Sequence, residues 1–250
     1  MYNFFIEDNC IRGNLCYIKG ADFNHIKNVL RMNTGDNILV SYNSSSHLCT
    51  IKGFEENTVI AEITEENYKD TNLSVEIYLF QGLPKGDKME LIIQKCVELG
   101  ISGIIPVEMN RCVVKLDEKK KKSKVARWQT ICESAAKQSK RSIIPQIENV
   151  LTYKQALEKA KELDLLLIPY ENKNGMSATK KALSKIKKGM KVGILIGPEG
   201  GFDENEIEKA VDIGGYTISL GKRILRTETA AITSVGMCML HIEMNVDGDD

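Results

Sequence analysis

The chain has 250 residues, enough for one large domain or for two with one of them small. With 42% hydrophobic and 27% charged residues it can bury a sizeable core, and no stretch reaches the roughly 20 apolar residues that a bilayer-spanning helix needs. The 34 basic and 34 acidic side chains cancel, so net charge gives no support for nucleic-acid binding. Residues 73–150 nevertheless carry 14 basic against 9 acidic groups, concentrated between Lys115 and Arg141, a run that composition alone reads first as a solvated helix face. The 7 Cys and 3 His show no zinc spacing, so no metal is expected, and reduced thiols in a cytoplasmic compartment are the simple expectation. Met1 to Asp8 lacks a basic region leading into an apolar run, so no signal peptide is expected.

The first seventy or so residues read as short strands. These are Phe4–Ile6, Leu15–Ile18, Asn37–Val40, Leu48–Ile51 and Thr58–Ile63, broken by turn sequences at Asn33–Asp36 and Asn43–Ser46. One short helix fits Phe23–Arg31. Strands so closely spaced predict a compact β-barrel. The polar run Thr64–Asn72 is the expected linker, dividing the chain into domains 1–72 and 73–250.

Beyond it strand and helix alternate. Val75–Phe80 is a buried-type strand, and Asp87 is placed to cap a helix with Met89, Ile92, Ile93, Cys96 and Val97 on one face. Strand Ile104–Val107 leads to a helix of about Lys122–Ser139, with Val125, Trp128, Cys132 and Ala135 inward. Thr152 and Gln155 form a capping box before the next helix. Strand Leu165–Ile168, helix Ser177–Lys187 and strand Val192–Ile196 follow. Asp203 and Glu206 open a helix with Ile207, Ala210 and Val211 inward, stopped by Gly214-Gly215. Strand Thr217–Leu220 precedes a last helix expected to bury Ile232, Val235, Gly236, Met239 and Leu240. Such alternation predicts an α/β layered domain with a mostly parallel sheet.

Two segments carry chemistry, and each directly follows a strand. Ile196-Gly197-Pro198-Glu199-Gly200-Gly201-Phe202 lies where ligands of open α/β sheets bind, and its glycines let backbone groups approach a flat ligand. A tight strand-to-helix turn would use the same residues. Leu220 to Ala231 opens the last helix and brings Arg223, Arg226 and Glu228 beside its N-terminus, where Thr227 would also serve as an N-cap. No Gly-x-Gly-x-x-Gly follows a strand, so a dinucleotide site is not indicated.

Taken together, these two segments closely resemble the signature of the bacterial RsmE family, 16S ribosomal RNA (uracil-N3) methyltransferases of the SPOUT superfamily. Asn24-His25-Ile26-Lys27-Asn28-Val29-Leu30-Arg31 with Gly35-Asp36 is similar to that family's N-terminal motif. Lys95-Cys96-Val97-Glu98-Leu99-Gly100, Asn110-Arg111-Cys112 and Ala135 to Arg141 with Pro145 resemble further family segments in the same order. Tyr2-Asn3, Asn24-His25 and the turn 42–46 depart from the family pattern, all within the N-terminal domain.

The resemblance implies a trefoil-knotted, mostly parallel sheet flanked by helices, preceded by a small PUA-like, RNA-binding β-barrel. It implies S-adenosyl-L-methionine bound in a bent form among three loops. The first takes in Leu167, Ile168, Pro169, Tyr170 and Glu171, and the second Ile196, Gly197, Pro198, Glu199, Gly200 and Gly201. The third comprises Leu220, Gly221, Ile224 and Leu225, with Thr229 and Ala230 beyond it. A homodimer formed through the knot region and small-subunit ribosomal RNA, free or in the assembled subunit, are the implied partners. Methyl transfer to a uridine N3 requires a proton to leave, so Arg226 is expected to stabilise the developing anion and Glu228 to orient Arg226 or the base. Phosphate contacts are assigned to Arg31, Arg111, Lys137, Lys140 and Arg141, while His25 and Trp128 are read as structural. Two other readings stand beside this one. A silent RNA-binding or ribosome-assembly protein would keep the fold without the chemistry, and a SPOUT methyltransferase could act on another RNA.

Overall fold

Alternating apolar residues in the N-terminal part pair into one sheet of β1 (Asn3–Phe5), β2 (Ile11–Arg12), β3 (Leu15–Lys19), β4 (Asn37–Tyr42), β5 (Ser45–Glu55) and β6 (Thr58–Glu65), with helix α1 (Gly20–Asn24) between β3 and β4. The computed structural model describes residues 1–69, 71–170 and 175–248. The strand order is β1-β4-β5-β6-β3-β2, with β1 parallel to β4 and the other pairs antiparallel. Register shifts in β5 at Leu48/Cys49 and Ile51/Gly53 bend the long strand. The sheet thereby curls round Phe4, Ile18, Ile26, Ile38, Val40 and Ile51. The helix expected over Phe23–Arg31 starts earlier, at Gly20, and is in two parts. After α1 the chain takes one wide turn over His25–Val29, closed by the Leu30 N–H donating to the His25 carbonyl at 2.8 Å. This puts Phe23 and Ile26 in the core and leaves His25 exposed, its ring edge-on to Phe4 at 6.2 Å.

Met1–Asn72 forms a compact unit only together with Ala136–Ile144, so the first unit is discontinuous where the sequence suggested a single cut. Three side-chain bonds account for it. Asn3 Nδ2 donates to the Arg141 carbonyl at 2.8 Å, Lys137 Nζ to Asp22 Oδ1 at 2.7 Å, and Asn72 Nδ2 to Ser142 Oγ at 2.7 Å.

The second unit, Leu73–Ala135 with Pro145–Asp250, alternates as expected. Its elements are β7 (Glu76–Gly82), α2 (Lys88–Glu98), β8 (Gly103–Glu108), α3 (Glu118–Gln138, ending in the first unit), β9 (Gln146–Ile147), β10 (Leu151–Thr152), α4 (Tyr153–Ala160), β11 (Leu165–Pro169), α5 (Gly175–Leu183), β12 (Lys191–Ile196), α6 (Glu204–Asp212), β13 (Tyr216–Ile218) and α7 (Thr227–Ile242). The sheet runs β10-β8-β7-β12-β11-β13 with β9 also on β8, and every pairing is parallel. Burial on both faces explains the near-continuous apolar runs of β7, β8 and β12.

Helix α2 buries Met89, Ile92, Ile93, Cys96 and Val97. Asp87 precedes it without a side-chain cap, and its carbonyl accepts the Glu90 N–H at 2.9 Å instead. Trp128 is buried in α3. Both capping boxes, Thr152 with Gln155 and Asp203 with Glu206, are complete. In α6 the inward residues are Glu206 and Ala210, while Val211 is 44% exposed. Glu206 tolerates burial because its carboxylate accepts the N–H groups of Asn110 and Asp203. In α7 the buried stripe is Ala231, Ser234, Val235, Cys238 and Ile242, so of the expected inward residues only Val235 is fully buried, and Leu240 is 51% exposed. Small side chains let α7 approach α2, β7 and β12, which displaces its bulkier residues to the flanks. After β13 at the sheet edge the chain thus returns to the sheet centre, beside the loop 197–201, where the expected knotted threading falls. Among the described residues no helix is long and apolar enough to cross a membrane.

Candidate active site

The carboxyl ends of β11 and β12 and the N-terminus of α7 converge on one cleft of about 650 Å³. Local chemistry shapes its first wall. Pro198 accepts the Gly201 N–H at 2.9 Å, and Gly201 takes φ +68°, which closes the loop as a tight turn. A Cβ on Gly197 would stand 3.2 Å from the Gly201 carbonyl carbon, so any side chain there would crowd the turn. Phe202 is buried behind it and meets the Tyr170 ring at 6.4 Å and 70°. Pro169, Tyr170, Ile196, Gly197, Pro198 and Glu199 all line the cleft, as does Gly201.

The opposite wall is the segment before α7. Ile224, Leu225, Arg226 and Ala230 line the cleft, and Ile224 is 86% exposed. Leu220 and Gly221 line a smaller adjoining cavity of about 150 Å³, which shares Tyr170, Ile224 and Leu225 with the main one. Thr179 Oγ1 holds the start of this segment, donating to the Ser219 carbonyl at 2.7 Å and accepting the Ser219 N–H.

Several expected residues lie elsewhere. Leu167 and Ile168 are fully buried in β11, supporting the cleft from beneath. Gly200 packs against Arg111, whose Nη1 donates to the Gly200 carbonyl at 3.2 Å, so Arg111 also lines the cleft. Thr229 is exposed on α7 outside the cleft lining, and Glu171 lies outside the described residues. Arg226, not Thr227, holds the N-cap position of α7, and the Thr227 hydroxyl turns inward to the Gly197 carbonyl at 2.6 Å. Glu228 is not seen to orient Arg226. Its carboxylate stands 3.7 Å from Lys88 Nζ, and among the described residues no ion pair joins it to Arg226.

Lys88, which no sequence motif singles out, sits between two carboxylates. It donates to Glu199 Oε1 at 2.8 Å, and Glu199 also accepts the Lys85 N–H at 2.9 Å. The bond it donates to Glu199 holds the Lys88 ammonium above its ordinary range. Partial burial works to raise the Glu199 carboxyl, yet Lys88 and the Lys85 N–H outweigh it and leave it below the usual carboxylate range. The pair is therefore ionised at neutral pH and ties α2 to the loop.

Of the phosphate contacts expected in the first unit, Arg31 and Lys140 are exposed, both with left-handed backbones. Lys137 is engaged by Asp22, and Arg141 is 5% exposed. Arg141 therefore belongs to the packing of the unit, whereas Lys137, though paired, keeps 35% of its side chain exposed.

A family model described as an RNA methyltransferase domain matches residues 71–239, and one described as an RNA methyltransferase PUA domain matches residues 18–64. Over 231 residues the chain is 38% identical to ribosomal RNA small subunit methyltransferase E of Bacillus subtilis, covering 91% of this chain and 90% of the relative. It is 35% identical to the protein of that name from Mesomycoplasma hyopneumoniae, over 96% and 99% of the two chains. The crystal structure of a ribosomal RNA small subunit methyltransferase E from Neisseria gonorrhoeae, bound to S-adenosyl methionine, is similar with a TM-score of 0.81 at 31% identity, over 96% and 97% of the chains.

Proposed function

The chain belongs to the ribosomal RNA small subunit methyltransferase E family, and from that premise we propose that it methylates N3 of a uridine in small-subunit ribosomal RNA, with S-adenosylmethionine as donor. The observation that carries this reading is the convergence of the glycine loop 197–201 and the start of α7 on one cleft.

The cleft suits that donor. Its volume falls within the roughly 300–1,000 Å³ of small-molecule sites. Nothing lies within 4 Å of where a Cβ on Gly201 would stand, which leaves backbone open to a flat ring. Apolar Ile196, Ile224 and Leu225 flank that space, and Lys88, Arg111, Glu199 and Glu204 offer charge of both signs to a zwitterion. When bound, the donor supplies an electrophilic methyl carbon on a sulfonium. The protein's share is placement, since a correctly held pair of reactants can gain several powers of ten in rate. Arg226, exposed at the N-cap of α7, stabilises the negative charge that develops as N3 loses its proton. Glu228 and Lys88 set the charge around it.

On this reading the first unit is the RNA-holding, PUA-like module, with Arg31 and Lys140 on phosphates and Arg111 at the cleft. The protein works as a cytoplasmic homodimer. Leu91 on α2 and Leu240 on the adjacent α7 are large exposed apolar side chains that a second copy would cover. Sedimentation of the purified protein tests the dimer.

The deciding experiment incubates the protein with labelled donor and small ribosomal subunits from cells lacking this activity, then maps the modified nucleotide. Label at one uridine N3 is the expected result. Donor binding without transfer to the subunit directs the search to another RNA, and absence of donor binding favours the silent RNA-binding protein.

A further inference from the structure

Beneath the cleft, residues far apart in sequence form one chain of buried hydrogen bonds. Gln81, fully buried near the end of β7, donates from Nε2 to the Gly82 carbonyl and to Thr227 Oγ1, each at 2.9 Å. Thr227, 6% exposed at the first position of α7, lies 2.6 Å from the Gly197 carbonyl oxygen. Elimination fixes the direction. A carbonyl oxygen only accepts, so the Gln81 atom facing Gly82 is the amide nitrogen. That nitrogen also donates to Thr227 Oγ1, and the one hydroxyl proton is left for Gly197. The relay therefore runs one way, from Gln81 through Thr227 to Gly197.

Its ends connect the two sides of the proposed reaction. Gly197 belongs to the loop that would hold the donor, and Thr227 sits between Arg226 and Glu228 at the start of α7. Stability alone is a poor account of Gln81, because its Oε1 is buried with no hydrogen-bond partner among the described residues, a cost that an apolar side chain would avoid. We propose that Gln81 and Thr227 are positioning residues for methyl transfer, their relay holding the Gly197 loop and the Arg226-bearing end of α7 in the register the two reactants need. This rests on the reading of the cleft as the donor site.

The test compares Q81E, T227V and T227S with the wild type in donor affinity by calorimetry, in kcat and KM on small ribosomal subunits, and in thermal stability. Q81E keeps the shape, but its carboxylate accepts from the Thr227 hydroxyl and turns that proton away from Gly197. T227V removes the hydroxyl altogether. For both, kcat at saturating donor falls by about tenfold to a hundredfold, the scale of leaving a buried partner unpaired, and donor affinity falls severalfold. T227S recovers the greater part of the loss. Wild-type kcat and donor affinity in folded Q81E or T227V overturn the proposal, even if either melts earlier, since the relay would then serve stability alone. If T227V does not fold, Q81E and T227S decide. A wild-type chain that binds donor but leaves small subunits unmodified defeats only the substrate reading, and the affinity series still judges the relay. A chain that binds no donor overturns both.

Discussion

The two walls of the cleft are built differently. The loop 197–201 is held by its own turn, by Thr227 at Gly197, by Lys88 and the Lys85 N–H at Glu199, and by Arg111 at Gly200. The segment 220–226 is anchored at its start by Ser219, whose hydroxyl accepts the Gly221 N–H at 3.2 Å, and then carries Ile224 out to 86% exposure. A wall fixed before the ligand arrives loses little freedom on binding, whereas an exposed apolar side chain gains contact only when the ligand covers it. Orientation thus belongs to the first wall and closure to the second.

Substitutions on each wall break or sharpen this contrast. The largest effect comes from the charged end of the second wall: R226A lowers methyl transfer by about a hundredfold or more while donor affinity stays within a few-fold, measured by single-turnover transfer beside calorimetry. Next is G82A on the rigid side. Its Cβ would fall 2.7 Å from the Pro198 nitrogen and Cδ and 2.9 Å from Met109 Sδ. Backbone must shift there, so a thermal melt shows a loss of about 1–3 kcal/mol, accompanied by weakened donor binding. The matched change G221A meets only Arg223 Nη2 at 3.7 Å but needs φ +105°. Its loss is about 1–2 kcal/mol of backbone strain, with donor affinity moved less than in G82A. Equal affinity losses in the two variants would erase the contrast between the walls. I224S weakens donor binding a few-fold with an unchanged melting temperature, because the side chain it trims is exposed until a ligand arrives.

The smallest effect concerns pH. Glu199 is held below the carboxylate range, so its pairing contributes fully above that range and is lost as pH falls through the lowered value. Lys88 is held above the ammonium range, so its share is present below that range and lost as pH rises through the raised value. The difference in melting temperature between the wild type and K88A therefore stays flat between about pH 6 and 9, as thermal melts across that interval would show. A slope near neutrality would mean that the pair is not the tie described.

Much of this arrangement is legible in the amino-acid sequence alone. The apolar spacing of α2, both capping boxes and the position of each cleft segment directly after a strand follow from local sequence, because each is decided within a few residues. The buried face of α7 is not, since that helix is apolar round most of its circumference and periodicity cannot choose a side. Lys88 reads as an ordinary solvent-side lysine, and only the fold brings Glu199 to it across 111 residues. Thr227 looks like an N-cap, but the choice between capping and reaching Gly197 is made by a loop thirty positions earlier. Gln81 offered one signal, a polar amide at the carboxyl end of an otherwise apolar strand.

Order of synthesis gives the discontinuous first unit a further meaning. The ribosome releases the N-terminus first, and domains that are contiguous in sequence can finish folding as they emerge. Here the partners of Asn3 and Asp22 are Arg141 and Lys137, so the first of these ties spans 138 residues. The closure entropy of so long a loop grows only slowly with its length, and the tie is affordable once both ends exist. It cannot form before α3 has been made. A nascent chain halted ahead of that helix can pair its first strand with β4, yet lacks Lys137 and Arg141 for Asp22 and Asn3, so the N-terminal unit is sealed only after half the protein has been translated.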